Sequence, residues 1–307
     1  MIAGVEATVI APTTSPERID AVATALRRSR LTGSLSEMRK QVGSGARPTP
    51  AGVDVEQTSI AGVPCELVIP HQLTRPRARV VWVHGGGFCL GSPERTRSVA
   101  GALAIRLGCR VVSVGYRLAP EHPYPAAIDD VVTVHAELSR VPESTIVLCG
   151  ASAGGGLAIA AALAINARSL PPAVAVAALS PWADLTCSSI TFDSLAPVDP
   201  IVAPGTLRSM ASMYVGNHDR RSPGISPKFA VLTELPPLLI QVGTSEILLA
   251  DSVAIAQATA ACGASVVLEI WVSMFHVWHQ LELDEAAAAL DRVSSFLDSH
   301  IRGCESP

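Results

Sequence analysis

The chain has 307 residues, of which 49% are hydrophobic and 16% charged, and a formal net charge of −4. That is enough apolar sequence to bury a sizeable core, which excludes a disordered chain and leaves one large α/β domain or two ordinary ones. A weakly acidic chain without a basic run is a poor partner for nucleic acid, and no stretch approaches the roughly 20 apolar residues of a membrane span.

Seven cysteines (65, 89, 109, 149, 187, 262 and 304) lie scattered without CxxC spacing. An odd, unpatterned set points to buried thiols, with neither a disulfide framework nor a metal site. Met1 to Glu6 lacks the basic, apolar pattern of a signal peptide. The expected location is therefore the cytoplasm.

In chain order, residues 1 to about 48 read as amphipathic helix. Ser15 before Pro16 looks like a cap and first-turn proline, and Ser34 with Glu37 forms a capping box. Gly43 to Gly52 is a Gly- and Pro-rich linker. Val53 to Ile60 and Cys65 to Ile69 read as an edge hairpin. Strands follow at Arg79–Val83, Arg110–Val114, Thr145–Cys149, Ala173–Leu179, Leu238–Val242 and Val266–Trp271. Helices alternate with them, from Ser92-Pro93 to Leu107, Ala126–Leu138, Gly155–Ala167, Asp251–Ala261 and Leu281–His300. This alternation means βαβ units and a mostly parallel sheet. The span between Leu179 and Leu238 contains no clear strand, only a helical stretch from Gly205 to Tyr214. A long excursion of this kind often covers an active site.

Gly150-Ala151-Ser152-Ala153-Gly154 joins the Thr145 strand to the Gly155 helix. It fits Gly-x-Ser-x-Gly, a nucleophile on a tight strand-to-helix turn whose neighbours must be small. Upstream, His84-Gly85-Gly86-Gly87-Phe88 directly follows the Arg79 strand. Its successive glycines can turn backbone N–H groups towards a developing oxyanion, and the N–H of Ala153, after the nucleophile, is a further donor. An acid and then a base are expected on loops after later strands. Glu246 lies close to the end of the Leu238 strand, and Asp251 begins the next helix, where a carboxylate suits the N-terminus. Glu246 is the favoured acid and Asp251 the favoured cap. After the Val266 strand come His276 and His279; His276, nearer the strand, is the favoured base and His279 its rival.

At these residues the chain resembles the bacterial hormone-sensitive lipase family of α/β-hydrolases, the carboxylesterase group. The matching motifs are His84–Phe88, Tyr116–Glu121 with Tyr124–Ala127, the Ser152 elbow, Ser180-Pro-Trp-Ala-Asp184, Leu235–Pro237, Glu246-x-Leu248 and His276-Val277. The resemblance implies an α/β-hydrolase fold: a mostly parallel eight-stranded sheet flanked by helices, with a helical cap. Residues 1–50 and 185–227 would form the cap, and residues 51–184 and 228–307 the catalytic domain.

Carried across, Ser152 is the nucleophile, His276 the base and Glu246 the acid, with the N–H groups of Gly86, Gly87 and Ala153 as the oxyanion hole. The implied reaction is hydrolysis of short-chain acyl esters without a cofactor, and the implied assembly a homodimer through the last strand and nearby helices. Two departures stand out: Ala151 replaces a residue that is often polar in the family, and Glu246 replaces a frequent Asp. Phe88, Trp182, Tyr214 and Trp278 are candidates for the pocket wall, with core packing as the alternative. The other functional readings are an amidase or related acyl hydrolase, and a small-molecule-binding homologue without turnover; gibberellin receptors resemble the family but lack the histidine that this chain retains as His276.

Overall fold

The computed structural model describes residues 5–43 and 48–305. The strands are β1 (Glu6–Ile10), β2 (Val53–Ile60), β3 (Val63–Pro70), β4 (Ala78–Val83), β5 (Arg110–Val114), β6 (Thr145–Ala151), β7 (Val176–Leu179), β8 (Leu238–Gly243) and β9 (Val266–Trp271). They form one sheet in the order β1-β9-β8-β7-β6-β4-β5-β3-β2. Pairing is parallel from β1 through to β5, while β3 runs antiparallel to β5 and to β2. The helices are α1 (Pro16–Arg28), α2 (Leu35–Val42), α3 (Arg97–Leu107), α4 (Ala126–Leu138), α5 (Ala153–Ala167), α6 (Ile190–Ser194), α7 (Pro204–Val215), α8 (Leu249–Ala261) and α9 (Asp284–Glu305).

The central strands explain why the parallel core forms. Every residue of β6, β7 and β8 is buried, as befits strands covered by helices on both faces. α5 is buried along most of its length and packs in the larger core. At the N-terminal end, the side chain of Ser15 accepts the Arg18 N–H, and Ser34 and Glu37 make the reciprocal capping box. Burial pushes the Cys65 and Cys89 thiols up to about 11 and about 12, which leaves them unreactive at neutral pH.

Three expectations change. The sheet has nine strands, because Glu6–Ile10 is a strand where helix was expected. It pairs in parallel with β9 from Glu6↔Val267 to Ile10↔Trp271, so this part of residues 1–50 belongs to the sheet. β1 also occupies the edge of β9 that a dimer through the last strand would use. Finally, Asp251 does not cap α8. The cap position is Leu248, and Asp251 lies within the first turn, fully buried. The 43–52 linker lies partly, and Met1–Gly4 wholly, outside the described residues. Among the described residues, no helix is long and apolar enough to cross a membrane.

Candidate active site

Ser152 sits between β6 and α5 with φ 57° and ψ −124°, a strained geometry for a side chain with a Cβ. The turn is held from several sides. The Ser152 N–H donates to Leu179 O at 2.8 Å, and Ser152 O accepts the N–H groups of Gly155, Gly156 and Trp182. A Cβ on Gly154 would meet Val83 O at 2.1 Å, and one on Gly150 would meet Gly154 O at 2.2 Å. Both glycines are therefore required by the approach of β4 and α5. Ala151 packs in the apolar cluster on the other side of the sheet, with Leu179 and Leu239.

The three residues expected to act together meet in one line. His276 Nε2 lies 2.8 Å from Ser152 Oγ, and His276 Nδ1 lies 2.9 Å from Glu246 Oε2. Glu246 is fully buried, while His276 and Ser152 are 4% and 8% exposed. Burial pushes the Glu246 carboxyl above its ordinary value, partly opposed by its bond to His276. Its other oxygen, Oε1, accepts the Ser180 hydroxyl at 3.0 Å and the Gly243 N–H. Ser180 Oγ also accepts the Val277 N–H at 3.2 Å. One hydroxyl thus ties the acid to the loop carrying the base. Ser180 stood in the sequence only as part of a motif, with no signal of this role.

His279, the rival base, is turned away. It lies 2.8 Å from Gln241 Oε1, and burial pushes its imidazole down to about 3. Asp251, the rival acid, makes no side-chain hydrogen bond among the described residues; Ser189 Oγ lies nearby but outside hydrogen-bond geometry.

Gly86 and Gly87 face the same cavity as Ser152 and His276. Among the described residues, no protein acceptor takes the N–H of Gly86, Gly87 or Ala153. Ala153 opens α5, so the positive end of that helix adds to its N–H. Behind the loop, His84 stacks on Tyr116 with centroids 4.2 Å apart, and the Tyr116 hydroxyl donates to His84 O at 2.9 Å. Burial pushes His84 down to about 4, so it is a neutral brace for the loop.

The cavity has a volume of about 370 Å³. Much of its apolar wall comes from two distant stretches, Leu26, Leu31 and Val42 in the N-terminal segment and Ile201, Val202, Leu207 and Met210 in the excursion after β7, with Leu90, Val277 and Leu281 completing it. The four expected wall aromatics do not line it. Phe88 stacks face to face on Tyr214 at 3.9 Å and tilts against Trp182, while Trp278 packs on Trp271. All four are at most 2% exposed. They bury large apolar areas behind the catalytic loops and leave the cavity surface to smaller aliphatic side chains.

A family model described as alpha/beta hydrolase fold matches residues 80–280. An acetyl-hydrolase of Streptomyces hygroscopicus is 39% identical over 71% of this chain and 74% of its own length. A putative acetyl-hydrolase of Mycobacterium tuberculosis, LipR, is 33% identical over 85% of this chain and 83% of its own. Among solved structures, that of EstE5 soaked with p-nitrophenyl butyrate superposes with a TM-score of 0.89 at 35% identity. It covers 94% of this chain and 100% of that one. An esterase from the bacterial hormone-sensitive lipase family superposes at 0.88 with 33% identity, covering 94% and 100%.

Proposed function

Since the chain belongs to the hormone-sensitive lipase family of α/β-hydrolases, we propose that it is a carboxylesterase that hydrolyses short-chain acyl esters through Ser152, His276 and Glu246. The observation that carries this reading is the unbroken line from Ser152 Oγ through both ring nitrogens of His276 to Glu246 Oε2. With Nδ1–H donating to the carboxylate, Nε2 is left as the acceptor for the serine proton. Serine attacks the ester carbonyl, His276 takes its proton, and Glu246 stabilises the imidazolium. The N–H groups of Gly86, Gly87 and Ala153 meet the tetrahedral oxyanion, each such donor contributing about 3 kcal/mol. His276 then protonates the departing alcohol, and water, activated by the same imidazole, releases the acid. The presence of His276 favours turnover over a role confined to binding.

Residues 11–43 and 185–227 serve in this reading as a cap, because both contribute wall to the cavity above Ser152. Acyl length is set from the cap side. A Cβ on Gly87 would meet Met210 Sδ at 2.3 Å, so the thioether lies directly against the loop that receives the carbonyl oxygen. A volume near the lower end for ligand sites, with Met210 at its inner wall, favours a short acyl group.

A series of p-nitrophenyl esters from acetyl to decanoyl, alongside the matching anilides, tests both points. Turnover should fall beyond the short acyl chains and be far slower for the anilides. Met210→Ala should raise kcat/KM for the octanoyl ester relative to the acetyl ester by about tenfold, since each newly accommodated methylene is worth about 0.8 kcal/mol. An unchanged chain-length profile removes Met210 from the acyl wall.

A further inference from the structure

We propose that Asp199, a buried carboxylate on the excursion after β7, is a positioning residue that ties the cavity wall to the loop carrying Glu246. The proposal rests on the triad reading above. Asp199 is fully buried. Its Oδ2 accepts the N–H of Ile247, the residue after Glu246, at 3.0 Å. Its Oδ1 accepts the N–H groups of Ile201 and Val202, each at 2.9 Å, and both of these residues line the cavity. Three backbone donors from two separate segments therefore converge on one side chain.

The chemistry of that convergence selects a carboxylate. Asn offers one oxygen and turns an NH₂ towards the remaining N–H group or groups. A carboxylate accepts on both oxygens, and its charge strengthens each bond. The charge also works against the site, because Asp199 is one of the influences, after burial, that push Glu246 upwards. A second tie runs parallel to the first. Thr191, at the start of α6, donates its hydroxyl to Ile247 O at 2.8 Å and accepts the Ala250 N–H at 3.0 Å. The N-terminal part of the cap joins through the backbone: Arg30 donates to Asp199 O, and Arg27 to Val198 O at 3.0 Å. Movement of the cavity wall is thereby passed to the loop that sets the distance between Glu246 and His276. Displacement of a catalytic group by about 1 Å costs up to about 100-fold in rate.

The test is a double-mutant cycle with acetyl and hexanoyl p-nitrophenyl esters, all rates being expressed per active site titrated with a phosphonate and thermal melts run on every variant. Asp199→Asn should lower kcat about 10- to 100-fold with a smaller change in KM. In a Glu246→Gln background it should add less than about threefold, because residues that act through one another are not additive. A full, multiplicative loss in that background overturns the proposal, as does an unchanged kcat per titrated site, which is what a purely structural residue gives. If Asp199→Asn does not fold, Ile247→Pro, which deletes the one N–H that the acid loop gives to Asp199, takes its place in the cycle, and the same two results overturn the proposal. Full turnover by Glu246→Gln alone would sink the triad reading itself and the Asp199 proposal with it, a result distinct from failure of Asp199 alone.

Discussion

Ser152→Ala lowers turnover of an acetyl ester by about 10⁴-fold or more and leaves the fold in place. The first half follows from the chemistry. Without Oγ no acyl-enzyme forms, and His276 Nε2 loses the hydroxyl 2.8 Å away. What remains is the oxyanion hole and substrate binding, which alone still accelerate hydrolysis over water. The second half follows from how the turn is held. Its hydrogen bonds run through the Ser152 backbone, to Leu179, Gly155, Gly156 and Trp182, and alanine keeps all of them. The strained φ of 57° is borne equally by either residue. The melting temperature should therefore shift by no more than about 2–4 °C. A serine-directed phosphonate should label the parent protein at Ser152 and leave the variant unmodified by intact mass. Retained turnover, or a label on another residue, removes Ser152 from the mechanism.

The parallel core was legible because its strands are covered on both faces. Runs such as Arg110–Val114 and Val266–Trp271 are short, β-branched and bounded by turn residues, and the structure begins and ends them at those same positions. β1 was not legible for the opposite reason. Four of its five residues are exposed, so no buried face imposes an alternation, and its partner β9 lies near the other end of the chain. The order Ser152, Glu246, His276 was readable from spacing, since each follows the C-terminal end of a strand, and the structure brings the three side chains within hydrogen-bond distance. The residues that hold them were not. Ser180 and Asp199 hydrogen-bond to Glu246, Val277 and Ile247, contacts that exist only once three loops meet. The aromatics misled because a large ring beside a catalytic motif is as useful for filling the space behind it, as Phe88 and Tyr214 do.

Glu246 and Asp251, five residues apart, should separate cleanly in both rate and stability. Glu246→Gln is expected to lower kcat/KM by about 10³- to 10⁴-fold. A neutral amide cannot stabilise the imidazolium, and its NH₂ can hold His276 in the tautomer that does not accept the serine proton. Asp251→Asn should change kcat/KM by less than about threefold, because His276 Nδ1 is bonded to Glu246, and the Asp251 carboxyl bonds to none of the described residues. The signature of Asp251 lies in stability. Burial pushes its carboxyl up to about 7, so the folded protein holds this proton at pH values where the unfolded chain, with a carboxyl near 4, has lost it. Stability from this group is therefore full below about pH 4, falls as pH rises towards 7, and stays low above it. Asparagine cannot ionise and avoids that loss. Asp251→Asn should melt a few degrees above the parent at pH 8, with the difference closing by pH 4. A rate collapse in Asp251→Asn with Glu246→Gln near full activity would exchange their roles and move the acid from the loop after β8 to the first turn of α8.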